Sequence, residues 1–255
     1  MDTFLAKTDS GKTIFDLMKS DTMKKRFTEM TGKNLAAFTS AVTEIVNGNE
    51  LLKRCEPNSI LSAVVLATTL NLQINPSFGE AYIVPFKGKA VIQIGYQGYV
   101  QLALRSGQYK YLHAGVVHEG EIRGVNPLTG EFEIGDKFSD DIIGYVAHLE
   151  LVNGFQKSLY MSKAEMEEHA KKYSQSYQRD KEKGWGSSLW STNFDKMAVK
   201  TVLKKLLRNW GVKSAEIQEA LQSDFKLRDD FNVAPNVENE LLLFSNDEGG
   251  SEVNE

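Results

Sequence analysis

Four cations recur at every fourth position in the last quarter of the chain. They are Lys196, Lys200, Lys204 and Arg208, with Lys205 beside them, and no Asp or Glu occurs between Lys196 and Lys213. At about 100° per residue this spacing keeps the cations on one side of a helix, beside an apolar face. Like charges four residues apart repel in an isolated helix. The pattern therefore predicts phosphate binding, with a solvated face or pairing with distant carboxylates as the alternative.

A second segment, residues 87–111, interleaves cations, glutamines and tyrosines with glycine. Single-strand binders combine cations that follow the phosphates with flat side chains that meet the bases, and glycine lets a backbone approach a ligand closely. The alternative is structural, because Tyr and Gln are also good strand residues. We predict nucleic-acid contacts from both segments: Lys87, Lys89, Gln93, Tyr96, Gln97, Arg105, Lys110, Tyr111, Lys196, Lys200, Lys204, Lys205 and Arg208.

The charge distribution agrees with an anionic ligand. The whole chain of 255 residues has a net charge of −4, but residues 214–255 hold eleven acidic and two basic residues. Residues 1–213 therefore hold 28 basic and 23 acidic residues. A basic body gains free energy by releasing counterions from phosphates. An acidic, solubilising tail on an otherwise neutral domain would give the same composition.

The sequence lacks the motifs of nucleotide binding by a P-loop and of zinc binding. Gly11-Lys12-Thr13 ends like a P-loop, but the glycine required five positions earlier is Ala6. One cysteine and four scattered histidines offer no zinc-type spacing, so we expect no cofactor. Asp136, Asp140 and Asp141 with His148 leave a metal-dependent nuclease as a remote alternative. No secretion signal or membrane span is evident, so we expect a cytoplasmic protein.

The periodicity of apolar residues predicts an α+β fold, a mostly antiparallel sheet with hairpins flanked by helices. Three short helices are predicted within residues 13–47, followed by a buried helix from Pro57 to Asn75-Pro76. The final helix, which carries the cations, is predicted from about Ser191 to Trp210. The segment from Ser174 to Leu189 is predicted to be a loop.

Strands are predicted where the period changes to two. The first two, residues 81–86 and 90–96, are joined by a glycine-containing turn and followed by a short helix over 99–106. Later strands are expected at 111–117, 132–134, 142–152 and 155–161, the last two joined by Asn153-Gly154. Ser162 to Glu165 forms a capping box for a helix that ends near Tyr173.

Several separate blocks resemble one protein family in the family's order. They are the apolar helix from Ser59-Ile60 to Asn71-Leu72, the run from Asn75 to Phe86, the run from Ile92 to Tyr99 with Leu102 to Gly107, and the helix from Met197 to Leu203. Together, over about residues 50–213, they resemble the RecT family of phage single-strand annealing proteins, especially the type found in prophages of Gram-positive bacteria.

The resemblance implies a function in phage homologous recombination. It implies a protein that is not an enzyme, pairs complementary DNA strands without ATP, forms rings or helical filaments on DNA, and works beside a phage exonuclease. Arg105 matches the family's Arg-Ser-Gly block, where a guanidinium would fork onto a phosphate; the alternative is a structural pair with Glu119 or Glu121. A self-assembling phage protein that does not act on DNA is the alternative from another class.

Three regions follow from these interpretations. We expect an N-terminal helical region, 1–48, that contributes to subunit contacts, because its apolar faces exceed what a solvated arm needs. Residues 49–213 would form the DNA-binding and annealing core. Residues 214–255 would form a flexible acidic tail in which Leu241 to Phe244 is an apolar cluster.

Overall fold

The computed structural model describes residues 5–8, 11–31, 35–126 and 128–229, in which helices are combined with antiparallel strands. The predicted α+β class is confirmed. The helices are α1 (Ile14–Lys19), α2 (Asp21–Thr31), α3 (Leu35–Asn47), α4 (Glu50–Lys53), α5 (Pro57–Thr69), α6 (Tyr96–Arg105), α7 (Lys163–Tyr173), α8 (Gln175–Lys183), α9 (Leu189–Thr192), α10 (Phe194–Trp210) and α11 (Ala215–Asp229). The strands are β1 (Ala81–Phe86), β2 (Lys89–Ile94), β3 (Tyr109–His118), β4 (Ile122–Val125), β5 (Phe132–Ile134), β6 (Ile142–Leu151) and β7 (Gln156–Ser162).

Helices α1 and α2 pack on α5, and α3 packs on α2 and α4. Ile14, Phe27 and Val42 are buried in the same continuous core as Ile60 and Val64 of α5. The first helix starts with a capping box between Thr13 and Asp16, which satisfies two orphan backbone donors. The apolar faces that suggested a subunit contact are thus largely used inside the chain, and the subunit contact stays a prediction.

The β1–β2 hairpin covers α5 with one face. Ala81 and Ile83 alternate with half-buried residues along β1, and Ala90 and Ile92 do so along β2. The hydroxyl of Ser59 accepts a hydrogen bond from the Ala90 N–H at 2.8 Å, which ties the hairpin to the start of α5. The other face of the hairpin is therefore available to line a surface groove.

The three-stranded sheet has the order β3-β6-β7 and supports α10. Tyr145, Ala147 and Leu149 of β6 are fully buried, as are Val202 and Leu206 of α10. The predicted Asn153-Gly154 turn joins β6 to β7, and Gly154 has a φ of 87°, a left-handed conformation that favours glycine. This packing fixes which side of α10 faces outward.

Some element predictions were wrong in detail. Helix α5 ends at Thr69, earlier than predicted, because Asn71 turns the chain with a φ of 49°. Most of the predicted loop from Ser174 to Leu189 is helical: α8 begins after the cap residue Ser174 and stops at Gly184, whose φ is 68°. Sequence reasoning also missed α4 and β4.

The C-terminal region is described only as far as Asp229. Helix α11 continues the described fold beyond residue 213, with Ile217 and Ala220 fully buried against the common core. The apolar cluster from Leu241 to Phe244 lies outside the described residues. Within the described ranges, none of the helices combines the length and the apolar character needed to cross a bilayer.

Candidate nucleic-acid interface

Helix α10 is held in one rotation by its contacts with the sheet. Its buried positions are Ala198, Val202, Leu203, Leu206 and Leu207. At its first turn, the hydroxyl of Tyr145 donates a 2.6 Å hydrogen bond to the carboxylate of Asp195. Burial, and then this carboxylate, raise the pKa of Tyr145, so the phenol stays protonated and remains a donor. The helix face that carries the cations is consequently turned away from the sheet.

A groove of about 520 Å³ runs between α10 and the outer face of the β1–β2 hairpin. The end of α7, helix α8 and the short helix α9 also contribute to its walls. The side chains that line it are Val84, Pro85, Phe86, Val91, Gln93, His169, Tyr173, Ser174, Gln175, Ser176, Arg179, Leu189, Trp190, Met197, Lys200, Thr201, Lys204, Lys205 and Arg208.

The lining is cationic on one side and apolar on the other. Lys200, Lys204, Lys205 and Arg208 come from α10, and Arg179 comes from α8. The groove's lining, all of it within the described residues, includes no Asp or Glu. Phe86 and Trp190 contribute aromatic surface. Cations beside flat apolar rings are the combination that holds a single strand, because they match phosphates and bases respectively.

The structure brings five of the predicted contact residues into this groove: Gln93, Lys200, Lys204, Lys205 and Arg208. Gln93 lies on the outer face of β2, whereas the four cations are half-buried along α10. More than 100 residues of chain separate these two walls. Their juxtaposition therefore depends on tertiary packing.

Five predicted cations lie outside this set, and three of them, Lys87, Lys89 and Lys196, lie on the hairpin or on α10. Lys87 and Lys89 are exposed on either side of the hairpin turn at Gly88, and the Lys87 ammonium lies 5.3 Å from the ring centroid of Phe86. Since Phe86 lines the groove, these two lysines are near its hairpin end. Lys196 is exposed near the start of α10. Their roles as contacts stay predictions.

Tyr111 and Lys110 lie elsewhere, on the sheet. Tyr111 pairs across strands with Glu150, and the next pair on the same face is His113 with His148. This face is opposite the one whose residues, such as Leu149, are buried under α10. The Lys110 ammonium is 2.5 Å from the Glu150 carboxylate. Tyr111 is 53% exposed, beside the rings of the two histidines. The structure does not bring these residues together with the groove.

Tyr96 and Gln97 begin α6. Tyr96 is half-buried, and burial raises the pKa of its phenol above the usual value. Gln97 is exposed, and its side chain lies next to Gly79. Neither belongs to the groove lining.

Glycines 95 and 98 have a structural explanation. A Cβ atom at Gly95 would lie 2.0 Å from the carbonyl oxygen of Gly79, and one at Gly98 would lie 2.2 Å from that of Glu80. The sequence suggested that glycine here lets the backbone approach a ligand, but the structure gives a different reason at these two positions. The absence of a Cβ atom lets α6 lie close to the backbone that enters β1.

Arg105 uses its guanidinium within the protein. Its Nη1 donates to the carbonyl of Leu70, the C-cap residue of α5, at 3.0 Å, and its Nε donates to the carbonyl of Gln101 at 3.3 Å. Glu119 and Glu121, the alternative partners suggested by the sequence, bond to Ser139 and His118. The guanidinium thus satisfies an orphan carbonyl at a helix end.

We expect Arg105→Lys to lower Tm by about 2–6 °C, because an ammonium cannot reproduce both hydrogen bonds. The Kd for a single strand, measured per folded molecule, should stay unchanged. Thermal melts with parallel strand-binding titrations measure both quantities. Weaker binding at an unchanged Tm would instead support a phosphate contact.

Sequence reasoning missed the contribution of α8 and α9 to the groove. Arg179 and Trp190 were assigned to a loop or to its edge, because α8 is polar and has little apolar periodicity. Three features of the sequence could have indicated α8: Ser174 as its N-cap residue, Gly184 as the glycine that ends it, and the lysines of its last turn.

Two of the acidic residues considered for a metal site form ion pairs with nearby cations. Asp136 is paired with Arg123 at 3.3 Å, and Asp140 with Lys137 at 2.5 Å. His148 lies on β6, where its Nδ1 is 2.8 Å from the hydroxyl of Ser158. Within the part of the chain that the structure describes, no group of three His, Cys, Asp or Glu residues is arranged to hold a metal ion.

The protein family of this chain is established by a match to a family model. The model of the RecT family matches residues 36–237, which include every element that lines the groove. The chain belongs to the RecT family. The match extends beyond the residues that carried the sequence resemblance, at both ends.

Curated relatives agree with this membership of the RecT family. The chain is 40% identical over 237 residues to the uncharacterized protein YqaK of Bacillus subtilis (strain 168), covering 92% of this chain and 80% of the relative. It is 28% identical over 232 residues to protein RecT of Escherichia coli (strain K12), covering 84% of this chain and 80% of the relative.

Proposed function

We propose that this protein anneals complementary DNA strands during phage recombination by holding a single strand in the groove beside α10. Membership of the RecT family supports this role. The observation that carries the proposal is the groove itself, in which five cations face aromatic and apolar side chains and no carboxylate lines the wall. The protein acts by binding and not by catalysed turnover.

The phosphates of the strand lie along α10 in this mechanism. At a rise of 1.5 Å per residue, the cations from Lys196 to Arg208 span about 18 Å. That length matches about five nucleotides at the 3.4 Å spacing of a B-form strand. Phosphate contacts carry no sequence information, so specificity comes from base pairing with the incoming strand.

Annealing proceeds without ATP in this proposal. Each base-pair step of the new duplex contributes about 1.4 kcal/mol of stacking. The protein contributes by extending each strand and by screening the repulsion between phosphates. No nucleotide-binding loop is needed for these two tasks, and Gly11-Lys12-Thr13 does not complete one.

We further propose that subunits assemble side by side on DNA, as a ring or helical filament, so that their grooves form one track. Residues 1–48 would contribute to the subunit contact. A phage exonuclease that exposes single strands would be the partner, and the cytoplasm the place of action. The ring or filament and the exonuclease partner are implied by the family resemblance. The subunit contact is proposed from the apolar faces of the N-terminal helices, and the location from the sequence.

The dependence of assembly on salt tests whether DNA organises it. We expect large assemblies in sedimentation only with a single strand present, and their dissolution as salt rises from 50 to 500 mM, because counterion release drives binding. Assemblies that persist without DNA and at high salt would favour the self-assembling phage protein instead. Loss of labelled strand only when magnesium is added would favour a nuclease.

A further inference from the structure

The loop that joins α8 to α9 is anchored by one buried carboxylate. Asp180 is only 3% exposed, and its oxygens accept hydrogen bonds from the Ser191 hydroxyl at 2.6 Å, the Ser188 N–H at 2.7 Å and the Ser187 hydroxyl at 3.1 Å. These donors, Ser191 foremost, hold the pKa of Asp180 well below its usual range. The loop is thus fixed at its C-terminal side by three hydrogen bonds to one buried carboxylate.

This anchored loop presents an exposed tryptophan. Trp185 is 54% exposed, and its backbone N–H donates to the Asp180 carbonyl at 2.9 Å. Trp190, five residues later, is only 8% exposed. Tryptophan normally buries most of its large apolar surface, so a half-exposed indole on an ordered loop is the kind of residue that meets a ligand.

The surroundings of Trp185 suit a nucleic-acid strand. Arg179, before the loop, and Leu189, after it, both line the groove, whereas Trp185 itself is outside the lining. The loop therefore joins two elements of one groove wall and places Trp185 beyond that wall, where a strand leaving the groove would pass. The Lys183 ammonium lies 4.6 Å from the centroid of the Trp185 ring. A flat ring with a cation beside it offers stacking to a base and charge to the adjacent phosphate.

We infer that Trp185 stacks on a base of the bound single strand where the strand passes the α8–α9 side of the groove. This inference rests on the proposed function, because it requires the strand to occupy the groove. Stacking of this kind tolerates every sequence, since each base has a π face. It would fix one nucleotide per subunit against the loop, while α10 holds phosphates.

The test compares two strands that differ only in their bases. Binding of oligo(dT) and of an abasic strand of equal length is titrated with the wild-type protein, Trp185→Ala and Trp185→Phe. We expect Trp185→Ala to bind oligo(dT) about 5- to 100-fold more weakly and to bind the abasic strand unchanged. Trp185→Phe, which keeps a flat ring, should stay closer to wild type on oligo(dT).

Two outcomes would overturn the inference. Equal weakening on both strands, or none on oligo(dT), would exclude base stacking by Trp185. A smaller sedimentation coefficient of the DNA-free Trp185→Ala protein, with unchanged oligo(dT) binding, would assign the indole to contacts between copies.

The double variant Lys200→Ala/Lys204→Ala separates this inference from the proposed function. If that variant loses binding to both strands while Trp185→Ala loses none, the groove binds DNA and the stacking inference alone fails. If neither variant loses binding, the strand does not lie in the groove and the proposed function fails with it.

Discussion

Replacing Lys200 and Lys204 together with alanine is expected to weaken binding to single strands of every sequence by the same factor. Both lysines line the groove from adjacent turns of α10. For single strands each lost phosphate contact lowers the magnitude of the salt slope by about 0.7, so two contacts lower it by about 1.4. At 0.1 M salt this corresponds to about 25-fold weaker binding.

The measurement is a set of binding isotherms between 50 and 500 mM salt. The matched control is Lys137→Ala/Lys163→Ala, which removes the same charge from exposed positions outside the groove lining and outside residues 1–48. The control separates loss of a phosphate contact from a general change in net charge, and it should leave the slope nearly unchanged. If the salt slope of Lys200→Ala/Lys204→Ala equals that of the wild type, α10 does not contact the phosphates of the strand.

Gly98→Ala is expected to lower Tm by about 5–10 °C. In most helices this replacement would stabilise by up to about 1 kcal/mol, since alanine is the better helix former. Here the new methyl group would lie 2.2 Å from the Glu80 carbonyl oxygen and 2.8 Å from the Ile94 Cγ2. Forcing a methyl group into a packed backbone contact costs about 1–3 kcal/mol, and the clash outweighs the gain.

The control for this prediction is Gly186→Ala. Beyond the adjacent residues, no heavy atom lies within 4 Å of a Cβ at Gly186, so Tm should shift little. Thermal melts of both variants decide the question. If Gly98→Ala has the Tm of the wild type but binds DNA more weakly, Gly98 serves the approach of a ligand and not the packing of α6.

Local chemistry made much of the fold predictable. Asn153-Gly154 specified the β6–β7 hairpin, and the capping box at Ser162 and Glu165 specified the start of α7. The apolar spacing of α10 predicted both its buried face and the side that carries the cations. These features depend on residues close together in sequence, which is why the sequence sufficed for them.

The groove itself could not be derived from sequence. Gln93 and Lys200 were each predicted as contacts, but only the packing of β2 against α5 and of α10 against the sheet places both along one groove. Helix α8 was missed because Tyr177 and Asp180 are its only buried residues among the nine described, too few to give a helical period. The hydrogen bonds from Arg105 to the carbonyls of Leu70 and Gln101 could not be derived from sequence either, and its contact with a phosphate stays a prediction.

The central claim is that the protein pairs complementary strands without a nucleotide. One gel-shift series tests it most directly: protein with one labelled strand, protein with the preformed duplex, and protein with the first strand followed by its complement, all without ATP. We predict that sequential addition gives a complex containing both strands, formed faster than the strands pair alone. Pairing no faster than that of the free strands, or pairing that appears only when ATP is added, would contradict the account.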